Sequence, residues 1–145
     1  MPVNIPLRHE QKYFISPKQY YLLSDALDKV LWRDPNGDEN NEYHIRSLYF
    51  DNLADKALRE KIDGVNEREK FRIRYYNGDT SFIHLEKKVK RDGLGYKLTE
   101  TITAEEAQRI VNGDTAWMAT SGRALLVELY AKMKSWLFSI ISLQR

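Results

Sequence analysis

The sequence predicts an α+β fold dominated by an antiparallel β-sheet. Two turn signals, Asn77-Gly78 and Asp92-Gly93, separate segments in which polar and apolar residues alternate, as they do in β-hairpins. Two other segments begin with a capping box, at Ser16 and at Thr103, and continue with apolar residues at helical spacing. The 145 residues are 42% hydrophobic, which is enough for the core of a single domain.

The first elements follow one another from the N-terminus. Leu7 to Ile15 alternates polar and apolar residues and predicts a strand. Ser16-Pro17 supplies a helix N-cap and an N1 proline, and the apolar spacing extends this first helix to about Leu31. The second strand is predicted from His44 to Phe50, and Tyr49 is expected to be one of its core residues.

The following residues predict a short helical turn, a meander of strands and two helices. The helical turn is expected from Ala54 to Lys61. The strands of the meander are predicted at Lys70 to Tyr76, Phe82 to Lys90 and Tyr96 to Ile102. Thr103 begins the second helix, and Gly113 stands near its end. A third helix is predicted from about Ala124 toward the C-terminus.

The overall charge limits the classes of partner. The chain has 23 Lys and Arg against 21 Asp and Glu, a net charge of +2 that does not indicate a nucleic-acid or membrane-surface protein. Any anion site must therefore arise from local clustering. The absence of cysteine excludes disulfides, Cys-zinc sites and thiol catalysis. Because no signal peptide and no apolar run long enough for a transmembrane segment is visible, a cytoplasmic location is expected.

Charged side chains share one face of several predicted strands, because strand side chains alternate with period two. These residues are Arg8, Glu10, Lys12, Arg72, Arg74, His84, Glu86, Lys88, Lys90 and Lys97. An ordinary solvated sheet face is one interpretation. The other is an enclosed face that binds a polyanion, because buried cations need partners and Arg and Lys suit phosphate. Carboxylates among these cations would then indicate Mg²⁺ or Mn²⁺.

Five stretches of the sequence carry a family resemblance. They are RHEQKYF from Arg8, RSLYFDN from Arg46, LREKIDG from Leu58, FRIRYY from Phe71 and LEKK from Leu85. Taken together, over about residues 7 to 136, the chain resembles the VTC domain in its bacterial form. This is the polyphosphate-polymerase domain of the triphosphate tunnel metalloenzyme superfamily. The resemblance implies a β-barrel tunnel with flanking helices. Residues 1–145 would form a single domain that supplies only its N-terminal portion, as in a truncated version.

The resemblance also implies roles for individual residues. The residues expected to be catalytic are Lys12, Arg72, Arg74 and Lys88. Further phosphate-binding residues are expected at Arg8, Arg59, Lys61 and Lys97. Glu10 and Glu86 are the expected ligands of a divalent metal ion, Mn²⁺ or Mg²⁺. The expected partners are polyphosphate, triphosphate or ATP, with no nucleic acid and no transmembrane segment.

The implied reaction transfers the γ-phosphoryl group of ATP to polyphosphate in the complete domain. Two alternatives share the same basic face: a non-catalytic polyphosphate- or nucleotide-binding module, and a metal-dependent triphosphatase. Nucleic-acid binding is a third class, for which strand tyrosines such as Tyr75 would provide stacking surfaces. The near-neutral net charge argues against it. Open sheet edges in a partial barrel would allow pairing with a second copy.

Overall fold

A computed structural model describes residues 5–52, 67–136 and 138–144 of the chain. The helical turn predicted from Ala54 to Lys61 lies outside these residues. The chain divides into two compact units, one formed by Met1–His9 with His44–Arg145 and the other by Glu10–Tyr43. All strands in the described ranges belong to the larger unit.

The smaller unit contains helix α1, Pro17–Leu27. Its predicted capping box is confirmed, because the Ser16 hydroxyl accepts from the backbone N–H of Gln19, whose side chain accepts from the Ser16 N–H at 2.8 Å. The helix ends at Leu27, earlier than the predicted end near Leu31, and the chain turns at the C-cap residue Asp28. The predicted apolar stripe is present but exposed, with Leu23 53% accessible.

The larger unit is built on one antiparallel sheet. Its strands are β1 Arg8–His9, β2 Ile45–Asn52, β3 Arg68–Tyr76, β4 Asp79–Arg91, β5 Leu94–Ile102 and β6 Phe138–Gln144. They are hydrogen-bonded in the order β1-β5-β4-β3-β2-β6, and every neighbouring pair is antiparallel. The fold is therefore α+β as predicted, and the open sheet is consistent with part of a barrel.

Both predicted hairpin turns are confirmed. Tyr76 pairs with Asp79 across Asn77-Gly78, and Arg91 pairs with Leu94 across Asp92-Gly93. All turn residues have positive φ: 51° at Asn77, 71° at Gly78, 49° at Asp92 and 79° at Gly93. Positive φ at both positions is the requirement of a type I′ turn, which Asn-Gly and Asp-Gly meet at low cost. These turns fix the register of β3, β4 and β5.

The prediction of a first strand from Leu7 to Ile15 is wrong in its extent. Only Arg8 and His9 form a strand. The partner of His9 is Leu94, the first residue of β5, so the antiparallel ladder has reached the end of its partner strand. The alternation of polar and apolar residues beyond His9 cannot make a strand without a hydrogen-bonding neighbour.

The sixth strand was missed by sequence reasoning. Helix α3 spans Ala124–Trp136, and the apolar segment after it forms β6 along β2, with Tyr49 opposite Ile141. A short apolar run is ambiguous between helix and strand by periodicity alone, and the sequence therefore predicts an extension of the third helix toward the C-terminus. In the described sheet β6 is the outermost strand beside β2.

Helices cover one face of the sheet and bury the core. Helix α2 is Ala104–Val111, a 3₁₀ turn spans Ala116–Thr120, and α3 follows. The predicted capping box of Thr103 and Glu106 is confirmed at the start of α2. The largest fully buried side chains are Phe71, Leu85, Ile102, Ile110, Met118, Leu126 and Leu129. They pack β3, β4 and β5 against α2, α3 and the 3₁₀ turn. The helices therefore cover one face of the sheet, and the charged residues of the strands lie on the opposite face.

A buried lysine links α3 to the sheet on this helix-covered face. The side chain of Lys87 on β4 is 10% exposed and lies 3.1 Å from Glu69 of β3. It also forms an ion pair with Glu128 of α3 and lies over the Phe71 ring, 5.5 Å from its centre. Burial lowers the pKa of Lys87, but the hydrogen bonds to Glu128 and Glu69 outweigh burial and raise it. Lys87 therefore remains charged at neutral pH.

Candidate functional site

The face of the sheet opposite the helices carries most of the strand charges. The cross-strand register places Arg72 beside Glu86 and Arg74 beside His84, so the charged side chains of adjacent strands share this face. We call it the basic face. Its cations are Arg8, Arg68, Lys70, Arg72, Arg74, Lys88, Lys90 and Lys97, and its carboxylates are Asp51 and Glu86. Positive charge is therefore concentrated here although the whole chain carries only +2.

The register orders the basic face into rows that run across the strands. The Arg74 row is Ser47, Arg74, His84 and Thr101; the Arg72 row is Tyr49, Arg72, Glu86 and Thr99. The Lys70 row is Lys70, Lys88 and Lys97, and it is extended on β2 by Asp51, the residue that follows the Phe50–Phe71 pair. The Arg68 row is Arg68, Lys90, Gly95 and Arg8. The sequence-predicted alternation of faces is confirmed on β3, β4 and β5.

An ion-pair network holds the Arg72 row. The Glu86 side chain is only 4% exposed, and its two carboxylate oxygens lie 2.5 Å from Nε of Arg72 and 3.1 Å from Nζ of Lys97. The Nη1 group of Arg72 donates to the Tyr49 hydroxyl at 3.2 Å. One buried carboxylate thus positions two cations from neighbouring strands. Tyr49, expected in the core, instead serves as a hydrogen-bond acceptor on the basic face.

The electrostatics keep this network charged. Burial raises the pKa of Glu86, but the hydrogen bonds from Arg72 and Lys97 outweigh burial and lower it. Burial likewise raises the pKa of the Tyr49 hydroxyl, but its bond from Arg72 and the neighbouring positive charges lower it overall. Burial lowers the pKa of Arg72, and its bonds to Tyr49 and Glu86 outweigh that effect and raise it. The shifts of Glu86 and Arg72 both favour the charged form, so the ion pair stays charged at neutral pH.

Arg74 is held differently, by neutral groups. Its Nε donates to the Ser47 hydroxyl at 3.0 Å, and its guanidinium carbon lies 5.9 Å from the centre of the Tyr76 ring. Among the described residues no carboxylate forms an ion pair with Arg74. Its side chain is therefore oriented without its positive charge being neutralised, which suits a site for an anion.

Part of the predicted site is brought together on this face. Those residues are Arg8, Arg72, Arg74, Glu86, Lys88 and Lys97. Lys12 and Glu10 lie in the smaller unit, where their charged groups are 3.6 Å apart and their side chains are 82% and 50% exposed. The predicted positions Arg59 and Lys61 lie outside the described residues.

Several residues of the face were missed as site candidates. Arg68 and Lys70 have the same strand parity as Arg72 and Arg74, and this signal was already visible in the sequence. The predicted strand began only at Lys70, whereas β3 begins at Arg68. Asp51 is a buried member of β2, and its parity with Tyr49 places it on the basic face.

Comparison with known families gives one match that covers most of the chain. The VTC domain model matches residues 7–140. The chain belongs to the VTC domain family. No match was found among curated proteins. Membership of the VTC family indicates a polyphosphate-related function, in agreement with the family resemblance of the sequence and with a face rich in cations.

VTC domains generally use divalent metal ions. In the described ranges, no three His, Asp or Glu side chains are grouped as ligands for such an ion. Both oxygens of Glu86 are engaged by Arg72 and Lys97, so a metal ion would have to displace a cation from this carboxylate. The described residues of this VTC domain therefore do not fit a protein-held metal ion, and the metal roles of Glu10 and Glu86 stay predictions.

The helices of this VTC domain were also compared with the requirements of a membrane span. Within the part of the chain that the structure describes, no helix has the length and apolar character needed to cross a bilayer.

Proposed function

We propose that the basic face binds a linear chain of phosphates, either triphosphate or polyphosphate. The observation that carries this proposal is the arrangement of Arg72 and Arg74 on β3. Arg72 is positioned by Glu86 and Tyr49, and Arg74 by the neutral Ser47 hydroxyl. The two guanidinium groups are thus ordered before any ligand arrives, so less side-chain entropy is lost on binding.

The chemistry of the side chains fits phosphate oxygens. Arginine presents a planar fork of donors that matches two oxygens of one phosphate, whereas lysine is a compact charge that tolerates varied geometry. Arg72 and Arg74 occupy successive outward positions on β3, while Lys88 and Lys97 lie on the next two strands. A chain of phosphates lying across these rows would meet both kinds of donor.

The family's chemistry extends this proposal to phosphoryl transfer from ATP to polyphosphate. The transition state of phosphoryl transfer is stabilised mainly by positioned positive charge rather than by a nucleophilic side chain. The residues proposed for catalysis are Lys12, Arg72, Arg74 and Lys88. Those proposed for further phosphate contacts are Arg8, Arg59, Lys61 and Lys97. Support for Lys12, Arg59 and Lys61 comes from the family resemblance alone.

Mn²⁺ or Mg²⁺ would supply further charge neutralisation on the phosphate oxygens. The described carboxylates do not form a binding site for either ion, so the proposed roles of the protein are limited to binding, orienting and neutralising phosphates. Pairing of copies through a sheet edge is a separate proposal. Its support is that β1 and β6 are the outermost strands of the described sheet, and its test is sedimentation of the purified protein.

Calorimetric titration with tripolyphosphate tests the binding proposal. Arg74→Gln is the informative variant, because Arg74 has neutral partners and its loss leaves no buried carboxylate unpaired. Arg91→Gln is the matched control, since Arg91 lies on the other face of β4 and pairs with Glu67 at 2.6 Å. Loss of a charge-assisted hydrogen bond, worth about 1.5–3 kcal/mol, predicts a fall in affinity of roughly 10- to 100-fold for Arg74→Gln. The control should bind as the wild type does.

Incubation with ATP, polyphosphate and Mn²⁺ separates the possible activities. Growth of the polymer supports transfer from ATP. Release of orthophosphate from triphosphate without polymer would indicate a triphosphatase, and tight binding without turnover would indicate a binding module. Failure of the wild type to bind either phosphate ligand, or equal binding of single-stranded oligonucleotide, would refute the proposal.

A further inference from the structure

A tyrosine hydroxyl contacts Arg72 on the basic face. Tyr49 lies directly opposite Arg72 in the register of β2 and β3, and its hydroxyl accepts from Nη1 of Arg72 at 3.2 Å. A second tyrosine, Tyr75, accepts from Nη1 of Arg46 at 3.1 Å. Tyr75 packs against the core on the helix-covered face. The two tyrosine–arginine pairs are therefore chemically alike but lie on opposite faces of the sheet.

The guanidinium group of Arg72 keeps donors for an anion while it holds Tyr49. Arginine has five N–H donors, and in Arg72 one on Nε bonds to Glu86 and one on Nη1 bonds to Tyr49. A phosphate bound by the remaining donors would share this guanidinium group with the Tyr49 hydroxyl. Each acceptor then lies about 3 Å from its donor nitrogen, so the phenol oxygen and the phosphorus are neighbours. Another phenol of this face, Tyr76, lies 3.5 Å from Nη1 of Arg74, which is longer than a normal hydrogen bond.

The charges of the basic face favour a nucleophilic phenol oxygen. Burial raises the pKa of Tyr49, but the bond from Arg72 and the charges of Arg72, Arg74 and Lys70 lower it overall. A lowered pKa is one of the ways in which a side chain is activated as a nucleophile. The same cations would neutralise the oxygens of a phosphoryl group in the loose transition state of its transfer. The surroundings of Tyr49 thus combine an acceptor oxygen with the positive charge that phosphoryl transfer requires.

We propose that Tyr49 accepts a phosphoryl group from a nucleoside triphosphate bound at Arg72 and Arg74. The phenol oxygen forms a bond to the terminal phosphorus, and the bond from that phosphorus to its bridging oxygen breaks. The electron pair of the broken bond stays on the departing nucleoside diphosphate, whose new terminal phosphate takes up the phenol proton. This inference rests on the proposed phosphate site and adds a covalent step to it, the self-phosphorylation of the chain.

The phosphorylated side chain changes the site at which it forms. Phosphotyrosine carries a charge of about −1.5 to −2 at neutral pH and three strong acceptor oxygens. Because Tyr49 lies beside Arg72, this phosphate would occupy the guanidinium group in place of a free ligand. We therefore expect the phosphorylated chain to bind tripolyphosphate at least about tenfold more weakly than the unmodified chain.

Mass spectrometry of the intact chain and its fragments, after incubation with ATP and Mn²⁺, tests this inference. The wild type should gain one phosphoryl group, located on Tyr49. Tyr49→Phe preserves the ring and should gain none, and its titration with tripolyphosphate shows whether the phosphate site is intact. Tyr75→Phe on the helix-covered face is the matched control and should gain its phosphoryl group on Tyr49. The rate per chain should not depend on chain concentration, because donor and acceptor belong to one complex, whereas the rate of a contaminating kinase would fall on dilution.

Three results would overturn the inference. They are a phosphoryl group on Tyr76 or on a serine instead of Tyr49, equal phosphorylation of Tyr49→Phe and the wild type, and no phosphorylation of a wild type that binds tripolyphosphate. The proposed phosphate site would stand in each of these cases. A wild type that binds neither tripolyphosphate nor ATP would refute the proposed function itself, and this inference with it.

Discussion

Replacing Glu86 by glutamine removes the negative charge at the centre of the basic face while preserving the size of the side chain. In the folded protein this carboxylate is 4% exposed and pairs with Arg72 at 2.5 Å and Lys97 at 3.1 Å. The substitution leaves these two cations without their shared partner. It also removes the carboxylate that contacts the Arg72 guanidinium group, to which a phosphate would bind.

The magnitude of the effect follows from the exposure of the partners. Removal of one member of a buried ion pair costs about 3–5 kcal/mol. The Arg72 side chain is 18% exposed and retains its bond to Tyr49, and the Lys97 side chain is 40% exposed and can be rehydrated. We therefore expect a loss of about 2–3 kcal/mol, or roughly 5–10 °C in melting temperature for a chain of this length.

The same substitution should strengthen phosphate binding. A carboxylate about 6 Å from a phosphate oxygen opposes binding by about 1–3 kcal/mol per charge pair, depending on the effective dielectric constant. Tripolyphosphate affinity of Glu86→Gln in metal-free buffer should thus rise by about tenfold. The bound ligand should restore part of the lost melting temperature, because ligand binding stabilises the folded state.

Denaturation and calorimetry of Glu86→Gln provide the assay, with Glu39→Gln as a control for the loss of one charge in an exposed loop. An unfolding midpoint in urea equal to that of the wild type would show that the Glu86 carboxylate does not stabilise the fold. A fall in tripolyphosphate affinity in metal-free buffer would show that the Glu86 charge does not oppose phosphate binding. A loss of affinity confined to buffer containing Mn²⁺ would instead assign Glu86 to a metal ion.

Three further predictions follow from the ionised and hydrogen-bonded groups. Lys87→Met should lower the free energy of unfolding by about 1–2 kcal/mol, because Glu69 and Glu128 lose a partner. Its tripolyphosphate affinity should stay within about twofold of the wild type, because Lys87 lies on the helix-covered face, and a tenfold loss in calorimetry would contradict this. Burial raises the pKa of Glu86 and of Glu69, but the hydrogen bonds and charges of their cationic partners outweigh burial and lower both pKa values. The two carboxylates therefore stabilise the fold fully above the unfolded pKa near 4.5, and this stabilisation is lost as the pH falls below that value. Urea midpoints should be constant from neutral pH to about pH 5 and then decrease, and an increase in acid would contradict the ion pairs. Tyr49→Phe should weaken tripolyphosphate binding about threefold in calorimetry, because Arg72 loses one acceptor, and unchanged affinity would show that Arg72 needs no such support.

Much of the sheet was predictable because its signals are local. Asn77-Gly78 and Asp92-Gly93 determine their turns through backbone conformation, and the period-two alternation then assigns Arg72 and Arg74 to one face. The extent of β1 was not predictable, because it depends on where its partner β5 begins. The strand β6 was missed for a related reason, because it forms only by hydrogen bonding to β2, which is far away in the sequence.

The candidate site was predictable as a pattern of charge but not as a set of contacts. The alternation of side chains along β4 places Glu86 on the same face as the cations. Only the structure shows that Glu86 pairs with Arg72 of one neighbouring strand and Lys97 of the other. Tyr49 illustrates the same limit. An aromatic residue in a strand usually packs in a core, and its hydroxyl bond to Arg72 depends on cross-strand alignment.

The most direct test of phosphate binding at the basic face is a nuclear magnetic resonance titration of the isotope-labelled chain with tripolyphosphate. The side-chain Nε–Hε signals of Arg72 and Arg74 report on the two guanidinium groups, and that of Arg109 on α2 serves as an internal reference. If the basic face binds phosphates, the signals of Arg72 and Arg74 and the backbone amides of β3 to β5 should show saturable shifts, and the Arg109 signal should not move. Shifts confined to the helix-covered face, or the absence of any shift at millimolar ligand, would contradict phosphate binding at this face.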